Sequence, residues 1–277
     1  MKCYTGLTTQ VLTLLVMVFF LLPSLTHAEK AFISHRIVGA HKVRTPVAYL
    51  SYFDESSIQK IKKRAATEKA FDTESILEKS KFWLKPNGRQ AAVLIPLCNV
   101  NGRASILFTV RTDKVSTHKG QVSFPGGHLE PGETAAAAAL RETGEELRGL
   151  APPPPPRGGA GVRVLGVFDP VPAITGTMVT PVLGFIEKDL GNGEIGTCNR
   201  GLALDRLAPE PGEVASVFAL GLDQLVSPAF REMDDLGARG RIPAFTAGPV
   251  RIWGLTAYIL DRVLLNIVAH PSITKTT

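Results

Sequence analysis

Three glutamates in the middle of the chain have the spacing of a metal site. Glu142, Glu145 and Glu146 stand at positions i, i+3 and i+4, so on a helix their carboxylates project from one face. Like charges at this spacing repel one another by roughly 0.2–0.5 kcal/mol per pair on an exposed surface. A divalent cation between the carboxylates turns that repulsion into attraction, and hard oxygen ligands suit Mg²⁺ or Mn²⁺. The alternative is a solvated acidic face.

A glycine-rich turn precedes the glutamates at a fixed spacing and favours the metal site over the solvated face. Residues 125–127 (PGG) let the backbone bend tightly and expose its carbonyl groups, and Pro-Gly at 131–132 makes a second bend. From Glu133 onward, the alanine-rich stretch 135–140 predicts a helix of about four turns. On that helix Glu133 and Arg141 are two turns apart, so a pair between them would hold Arg141 against the turn.

The order of these residues resembles the Nudix box: Gly127, five residues, Glu133, seven residues, Arg141-Glu142, two residues, Glu145-Glu146. Enzymes of that family hydrolyse a nucleoside diphosphate linked to another group and use divalent metal bound by the box. Two positions depart from the pattern, because Arg148 precedes Gly149 at the end of the box and Thr143 holds a usually aliphatic position. Both lie beyond or beside the ligands, so they affect the end of the helix more than the chemistry.

The resemblance also implies roles for individual residues. The implied metal ligands are Glu142, Glu145, Glu146 and the carbonyl of Gly126. Either Glu142 or Glu213, which stands just before a late strand, would activate the water, and Arg141 would orient Glu142. Glu146 joins this catalytic set as the ligand whose replacement should abolish hydrolysis. The alternative for Glu213 is a structural residue at the start of the strand.

The segment ahead of the box resembles the signature of the coenzyme A pyrophosphatase branch of the family: LFTVRT at 107–112, Val115, Gly120 and FPGG at 124–127. Three positions depart from that signature, namely Thr112, Val115 and Ser116. Further stretches with counterparts in the branch extend the resemblance over about residues 90–268: VLGVFDPVP, VTPVLGFI and IWGLTA. The implied reaction splits coenzyme A or acyl-CoA into 3′,5′-ADP and (acyl-)4′-phosphopantetheine.

A cationic loop beside the box is the predicted phosphate site. Arg111, Lys114, His118 and Lys119 offer charge-assisted hydrogen bonds to an anionic substrate. With Gly127 of the turn they form the expected substrate-binding set. The alternative for the four side chains is a solvated surface loop.

Composition sets wide limits on the fold and the partners. At 277 residues and 44% hydrophobic content, the chain can bury one sizeable core. The net charge of +6 fits an anionic phosphate ligand but equally no special partner. No basic stripe is interleaved with aromatic residues, so a small nucleotide-like molecule and not a nucleic acid is the expected partner. Oligomeric state, acyl-chain preference and the choice between Mg²⁺ and Mn²⁺ stay open.

The first 28 residues read as a secretory signal peptide. The apolar run at 11–22 is shorter than the roughly 20 residues that a bilayer span needs. The alternative is an uncleaved signal anchor, which is the one case in which we expect membrane association. Cys3 would leave with the signal, and Cys98 and Cys198 are too few for a disulfide framework.

Residues 29–53 follow as an arm that is basic throughout most of its length. Its simplest interpretation is an unstructured arm, and the alternative is a second leader that directs the chain to an organelle of plastid-like, mitochondrial or peroxisomal type. Coenzyme A is an intracellular metabolite, so secretion fits that substrate poorly. The signal peptide itself predicts entry into the secretory pathway. The end point is then either an organelle or secretion.

The remaining pattern predicts an α+β fold of the Nudix type, an α/β/α sandwich with a mixed sheet. Residues 54–88 form a helical N-terminal extension, and residues 89–270 form the Nudix hydrolase domain, with a Pro/Gly-rich surface insertion (APPPPPRGGA) at 151–160. A hairpin through Asn101-Gly102 opens the domain. Other expected elements are strands at 162–168, 179–186 and 213–220, a turn at 169–172, a loop at 191–212, a short helix at 222–225 and a last helix from 252.

Two other functions fit the same residues. The first keeps the hydrolase and changes its ligand to ADP-ribose, NADH or a nucleotide sugar. The second is a noncatalytic Nudix module that binds a nucleotide, or a protein through the proline run.

Overall fold

The computed structural model describes residues 48–81, 84–113, 119–148, 150–151, 160–187, 201–237 and 240–274. The chain separates into two units, residues 1–45 and 46–277, and every described residue belongs to the second. The expected signal peptide and most of the basic arm therefore lie outside the described residues, as does most of the proline-rich insertion. Over the ranges given above, no helix has the length and apolar character that a membrane crossing requires.

The described helices are α1 (Glu55–Thr67), α2 (Thr73–Ser80), α3 (Ala135–Glu146), α4 (Leu222–Val226), α5 (Gly254–Val263), which continues as a π-helical segment Leu264–Val268, and α6 (Pro271–Thr274). Two 3₁₀ turns, Leu204–Arg206 and Pro228–Phe230, lie in the connections. The strands are β1 (Gln90–Val100), β2 (Arg103–Arg111), β3 (Val122–Ser123), β4 (Gly126–His128), β5 (Leu147–Arg148), β6 (Leu150–Ala151), β7 (Ala160–Val167), β8 (Val171–Pro172), β9 (Met178–Ile186), β10 (Ala208–Pro209), β11 (Val214–Gly221), β12 (Arg231–Asp235) and β13 (Arg241–Phe245).

The main sheet is mixed. Its hydrogen-bonded order is β11-β2-β1-β9-β7-β6. Outside this order, the short strand β3 pairs with β2, β4 pairs with β1, and β8 pairs with β9. The central pair β1 and β9 is parallel, whereas β1 with β2, β2 with β11 and β7 with β9 are antiparallel. Both central strands are largely buried, which explains their nearly continuous apolar sequences.

Helices cover both faces of this sheet. On one face, Ala138 and Ala139 of α3 pack with Leu94 of β1, and small side chains let the helix approach closely. On the other face, apolar residues of α1 and α5 share one core with Ile95 and Leu97 of β1. The expected mixed sheet between two layers of helices is confirmed.

The N-terminal helices are part of the main core. Ile58 and Ile61 of α1 are essentially inaccessible to solvent and belong to the cluster that holds the sheet residues. Helix α1 lies so close to β7 that a Cβ on Gly166 would stand 2.7 Å from the Cβ of Ala65. The guanidinium of Arg163 on β7 bonds both carboxylate oxygens of Glu55 at 2.9 Å.

Several elements differ from the sequence expectations. The helix expected from Glu133 over about four turns begins at Ala135 and has 12 residues, because the Thr134 side chain accepts the Ala137 N–H and caps it. The turn expected at 169–172 contains strand β8, and the loop expected at 191–212 contains a 3₁₀ turn and β10 in its described part. The hairpin of β12 and β13 was not expected at all. The turn at Asn101-Gly102 is confirmed, with φ of 50° and 75°.

Candidate active site

The glycine-rich turn lies directly against helix α3 and strand β1. A Cβ on Gly127 would stand 2.3 Å from the carboxyl carbon of Glu142, so any side chain there would displace that carboxylate. Gly126 has φ of +149°, and a Cβ on it would meet the Ala92 carbonyl oxygen at 2.2 Å. Both glycines are therefore required by close approach, one to the sheet and one to the glutamate.

Three aromatic rings stack next to the turn. The Phe108 ring stacks on Phe124 at 5.3 Å and on Phe218 at 5.5 Å between ring centroids. The next carbonyl along the chain, that of Pro125, accepts the Leu94 N–H at 2.8 Å. This anchoring to β1, β2 and β11 holds the backbone on which the Glu142 carboxylate rests.

Arg141 ties the start of α3 to the turn. Its Nε and Nη2 donate to the two carboxylate oxygens of Glu133 at 2.9 and 3.0 Å, and Nη2 also donates to the His128 carbonyl at 3.0 Å. Its Nη1 donates to Oε1 of Glu142 at 3.0 Å. The guanidinium lowers the pKa of Glu133 by hydrogen bonding. The expected pair with Glu133 is present, although Glu133 lies ahead of the helix.

Glu146 is a buried carboxylate with one unsatisfied oxygen. Its side chain is 2% exposed, and burial raises its pKa to about 8, which the nearby charges of Glu213 and Glu142 reinforce. The Arg111 charge and the Gly126 N–H act in the opposite direction. Its Oε2 has no hydrogen-bond partner among the described residues. A buried acceptor left in this condition costs free energy unless another group satisfies it.

The other two glutamates of the triplet are progressively more exposed. Burial raises the pKa of Glu142, and Glu145 and Glu213 contribute in the same direction, whereas Arg141 lowers it. The Glu145 side chain is 62% exposed and its Oε2 lies 3.6 Å from Nη1 of Arg141. The three carboxylates thus run from the interior to the surface along one side of α3.

Glu213 reaches the same place from a different part of the chain. Its carbonyl accepts the Thr112 N–H at 2.9 Å, and its own N–H donates to the Glu210 carbonyl at 3.0 Å. Its negative charge contributes to raising the pKa of both Glu142 and Glu146. The side chain is exposed to solvent.

This donor set fits a divalent cation. Within the ranges that the structure describes, no three His, Cys, Asp or Glu side chains form a cluster that could hold a metal ion. Oε1 of Glu142 bonds Arg141, and the side chain of Glu145 reaches solvent. The unpartnered Oε2 of Glu146 and the mutual repulsion of Glu142, Glu146 and Glu213 are nevertheless what a bound cation would relieve. The residues that would hold Mg²⁺ or Mn²⁺ are Glu142, Glu145 and Glu146.

The expected substrate loop is described only in part. Lys114 and His118 lie outside the described residues, and Lys119 is exposed. Arg111 lies close enough to Glu146 to lower its pKa, and its Nε is buried with no hydrogen-bond partner in the described part of the chain. Gly127 has a packing role beneath Glu142. Phosphate binding by this loop stays a prediction.

The structure accommodates both residues that depart from the box. One of them makes a contact that the sequence did not indicate. Thr143 is buried and its hydroxyl donates to the Ala139 carbonyl at 2.6 Å, so its polar atom is satisfied within the helix. Arg148 forms an ion pair with Glu210, a residue not singled out from the sequence. The one available signal was an arginine at a position where the box has glycine.

The NUDIX domain family matches residues 88–235, which include the turn, α3 and Glu213. The chain belongs to the Nudix family. It is 36% identical over 187 residues to the mitochondrial coenzyme A diphosphatase NUDT8 of Homo sapiens, a match that covers 65% of this chain and 70% of the relative. It is 35% identical over 189 residues to the uncharacterized Nudix hydrolase NudL of Citrobacter koseri, covering 67% of this chain and 86% of that protein. The protein is a Nudix hydrolase.

Among solved structures, a Nudix hydrolase from M. smegmatis, RenU, is similar with a TM-score of 0.36 and 20% identity. The match covers 52% of this chain and 81% of that one. A similarity of this size carries no argument about substrate or mechanism.

Replacement of Gly127 by alanine tests the contact between the Nudix turn and Glu142. The added Cβ displaces the carboxylate, so we expect kcat to fall by about 10²-fold, the cost of moving a reacting group by ~1 Å. Gly132→Ala is the matched control, since a Cβ there meets nothing within 4 Å but is strained at φ +82°. It should lower the melting temperature and leave kcat nearly unchanged. Equal activity of the Gly127→Ala and wild-type chains would show that the contact does not position Glu142.

Proposed function

We propose that this Nudix hydrolase splits the pyrophosphate bond of coenzyme A or acyl-CoA, giving 3′,5′-ADP and (acyl-)4′-phosphopantetheine, with Mg²⁺ or Mn²⁺ as cofactor. The observation that carries the chemistry is the buried Glu146, whose orphaned oxygen lies in the field of Glu142 and Glu213. The substrate is supported by the 36% identity to a protein named coenzyme A diphosphatase and by the LFTVRT…FPGG segment.

A pyrophosphate is polyanionic, so water attacks it slowly. The metal, when bound, neutralises charge on the transferring phosphoryl group and lowers the pKa of water. Glu142, Glu145 and Glu146 would hold it, with the carbonyl of Gly126 as an additional ligand. Arg141 fixes the orientation of Glu142 through its 3.0 Å hydrogen bond. These residues supply position and charge, and the remaining requirement is a base.

Glu213 is the better candidate for that base. Glu142 is partly committed to its bond with Arg141, whereas the side chain of Glu213 is exposed to solvent. The negative charge of Glu213 acts on both Glu142 and Glu146, and its exposed side chain is open to water. Its negative charge also favours the cation. Glu142 therefore acts as a ligand and Glu213 accepts the proton.

The substrate assignment is tested with purified protein and Mg²⁺ against coenzyme A, acetyl-CoA, ADP-ribose, NADH and a nucleotide sugar. We expect kcat/KM for the two coenzyme A compounds to exceed the others by about tenfold or more, and Glu146→Gln to lower kcat by about 10²–10³-fold because a metal ligand is lost. The control Glu74→Gln changes an exposed glutamate of α2 and should be silent.

Comparable turnover of all five substrates would refute the coenzyme A preference and leave a broad Nudix pyrophosphatase. A folded wild-type chain that hydrolyses none of them would favour the noncatalytic binding module. Full activity of Glu146→Gln would remove the metal assignment.

We also propose that residues 1–53 direct the protein to an organelle, in which coenzyme A is available. The human relative carries the word mitochondrial in its name, and the segment is basic behind its apolar run. Fluorescence imaging of the full chain and of a variant that lacks residues 1–28 should show an organellar pattern for the first and a diffuse one for the second. Accumulation of the full chain in the medium would contradict the proposal.

A further inference from the structure

A short segment fastens the C-terminal end of α3 to the strand that follows Glu213. We call residues 208–213 (APEPGE) the strap. Its β10 pairs with β5, with Ala208 opposite Arg148 and Pro209 opposite Leu147. The next residue, Glu210, donates its N–H to the Glu146 carbonyl at 2.9 Å. The strap is therefore bonded directly to the residue that ends the Nudix helix.

The far end of the strap positions Glu213. The Glu210 carbonyl accepts the N–H of Glu213 at 3.0 Å and that of Val214 at 2.9 Å. Two prolines, at 209 and 211, fix the backbone φ on either side of Glu210. On the other flank, the Glu213 carbonyl accepts the Thr112 N–H. A movement of Glu210 thus moves the backbone of Glu213 directly.

One side-chain contact holds Glu210 in place. The Arg148 guanidinium pairs with its carboxylate, and the two side chains are 68% and 32% exposed. A pair this exposed adds little to global stability. Another pair, Arg103 with Asp223, has nearly the same exposure, 55% and 35%, and joins β2 to α4 away from the site. The chain thus contains its own control for the general effect of losing a surface ion pair.

We propose that Arg148 and Glu210 are positioning residues for the hydrolytic reaction. Their ion pair holds the strap on the end of α3, and the strap fixes the backbone position of Glu213. The inference rests on the proposed function, in which Glu213 takes the proton from water. It also gives Arg148, which replaces the usual glycine of the box, a defined task.

Charge reversal tests the pair. Arg148→Glu and Glu210→Arg each place like charges together, and we expect each to lower kcat by about five- to tenfold with KM within about twofold. The double variant restores the attraction and should return kcat to within about twofold of wild type. Arg103→Glu should leave kcat unchanged. Failure of the double variant to recover, or an equal loss in Arg103→Glu, would overturn the proposal.

A double-mutant cycle tests whether the pair acts through Glu213. In a Glu213→Gln background, Arg148→Glu should have almost no further effect on the single-turnover rate, since the group it positions has lost its function. The same five- to tenfold loss in both backgrounds would show a general disturbance and overturn the assignment.

Hydrogen exchange provides a readout that needs no activity. In Arg148→Glu, the amides of residues 210 and 212–214 should exchange faster at an unchanged melting temperature, whereas α1 and β1 should be unaffected. Unchanged exchange of these amides in Arg148→Glu would show that the ion pair does not hold the strap in place, even if the enzyme is active. If the wild-type chain hydrolyses no substrate, the proposed function fails. Hydrogen exchange then tests by itself whether the ion pair holds the strap in place.

Discussion

The close packing of several carboxylates against the glycine turn is the constraint on which the rest of the structure depends. Glu146 is buried with one oxygen unsatisfied, and Glu142 rests on the backbone of Gly127 at a distance that excludes any side chain. Such a cluster opposes folding in the absence of a counter-charge. Three features hold this cluster together. They are the hydrogen bonds of Arg141, the strap, and the stacked rings of Phe108, Phe124 and Phe218. A bound cation would relieve this repulsion.

Local spacing made much of the site predictable. The box fixes three glutamates on one side of a helix, and the pair between Glu133 and Arg141 formed as expected, even though Thr134 starts the helix later than the alanine run suggested. The mixed sheet between helices followed from apolar runs and one strong turn. Glu213 was singled out from its place before a late strand; its charge acts on Glu142, and its role stays a prediction.

Other parts could not be read from the sequence because they depend on pairings between distant segments. Strands β5 and β10 have two residues each, too few to show a periodicity, so the strap had no signal besides an unusual Arg148. The hairpin of β12 and β13 is rich in charge, and its apolar residues do not alternate with polar ones. Arg251, which lies outside the hairpin, forms ion pairs with Glu232 and Asp234. Tertiary contacts decided both elements, and local preference did not.

Thermal melting of the wild-type and Glu146→Gln chains from pH 6 to 9, in EDTA and in Mg²⁺, tests the central claim most directly. Burial raises the pKa of Glu146 from 4.5 to about 8, so folding takes up a proton between these values and the stability of the metal-free chain falls as the pH rises through them. Mg²⁺ binds the ionised form, so its stabilising shift should grow with pH. We predict this behaviour for the wild type and its absence in Glu146→Gln. Parallel curves for both chains, with no selective effect of Mg²⁺, would contradict the account.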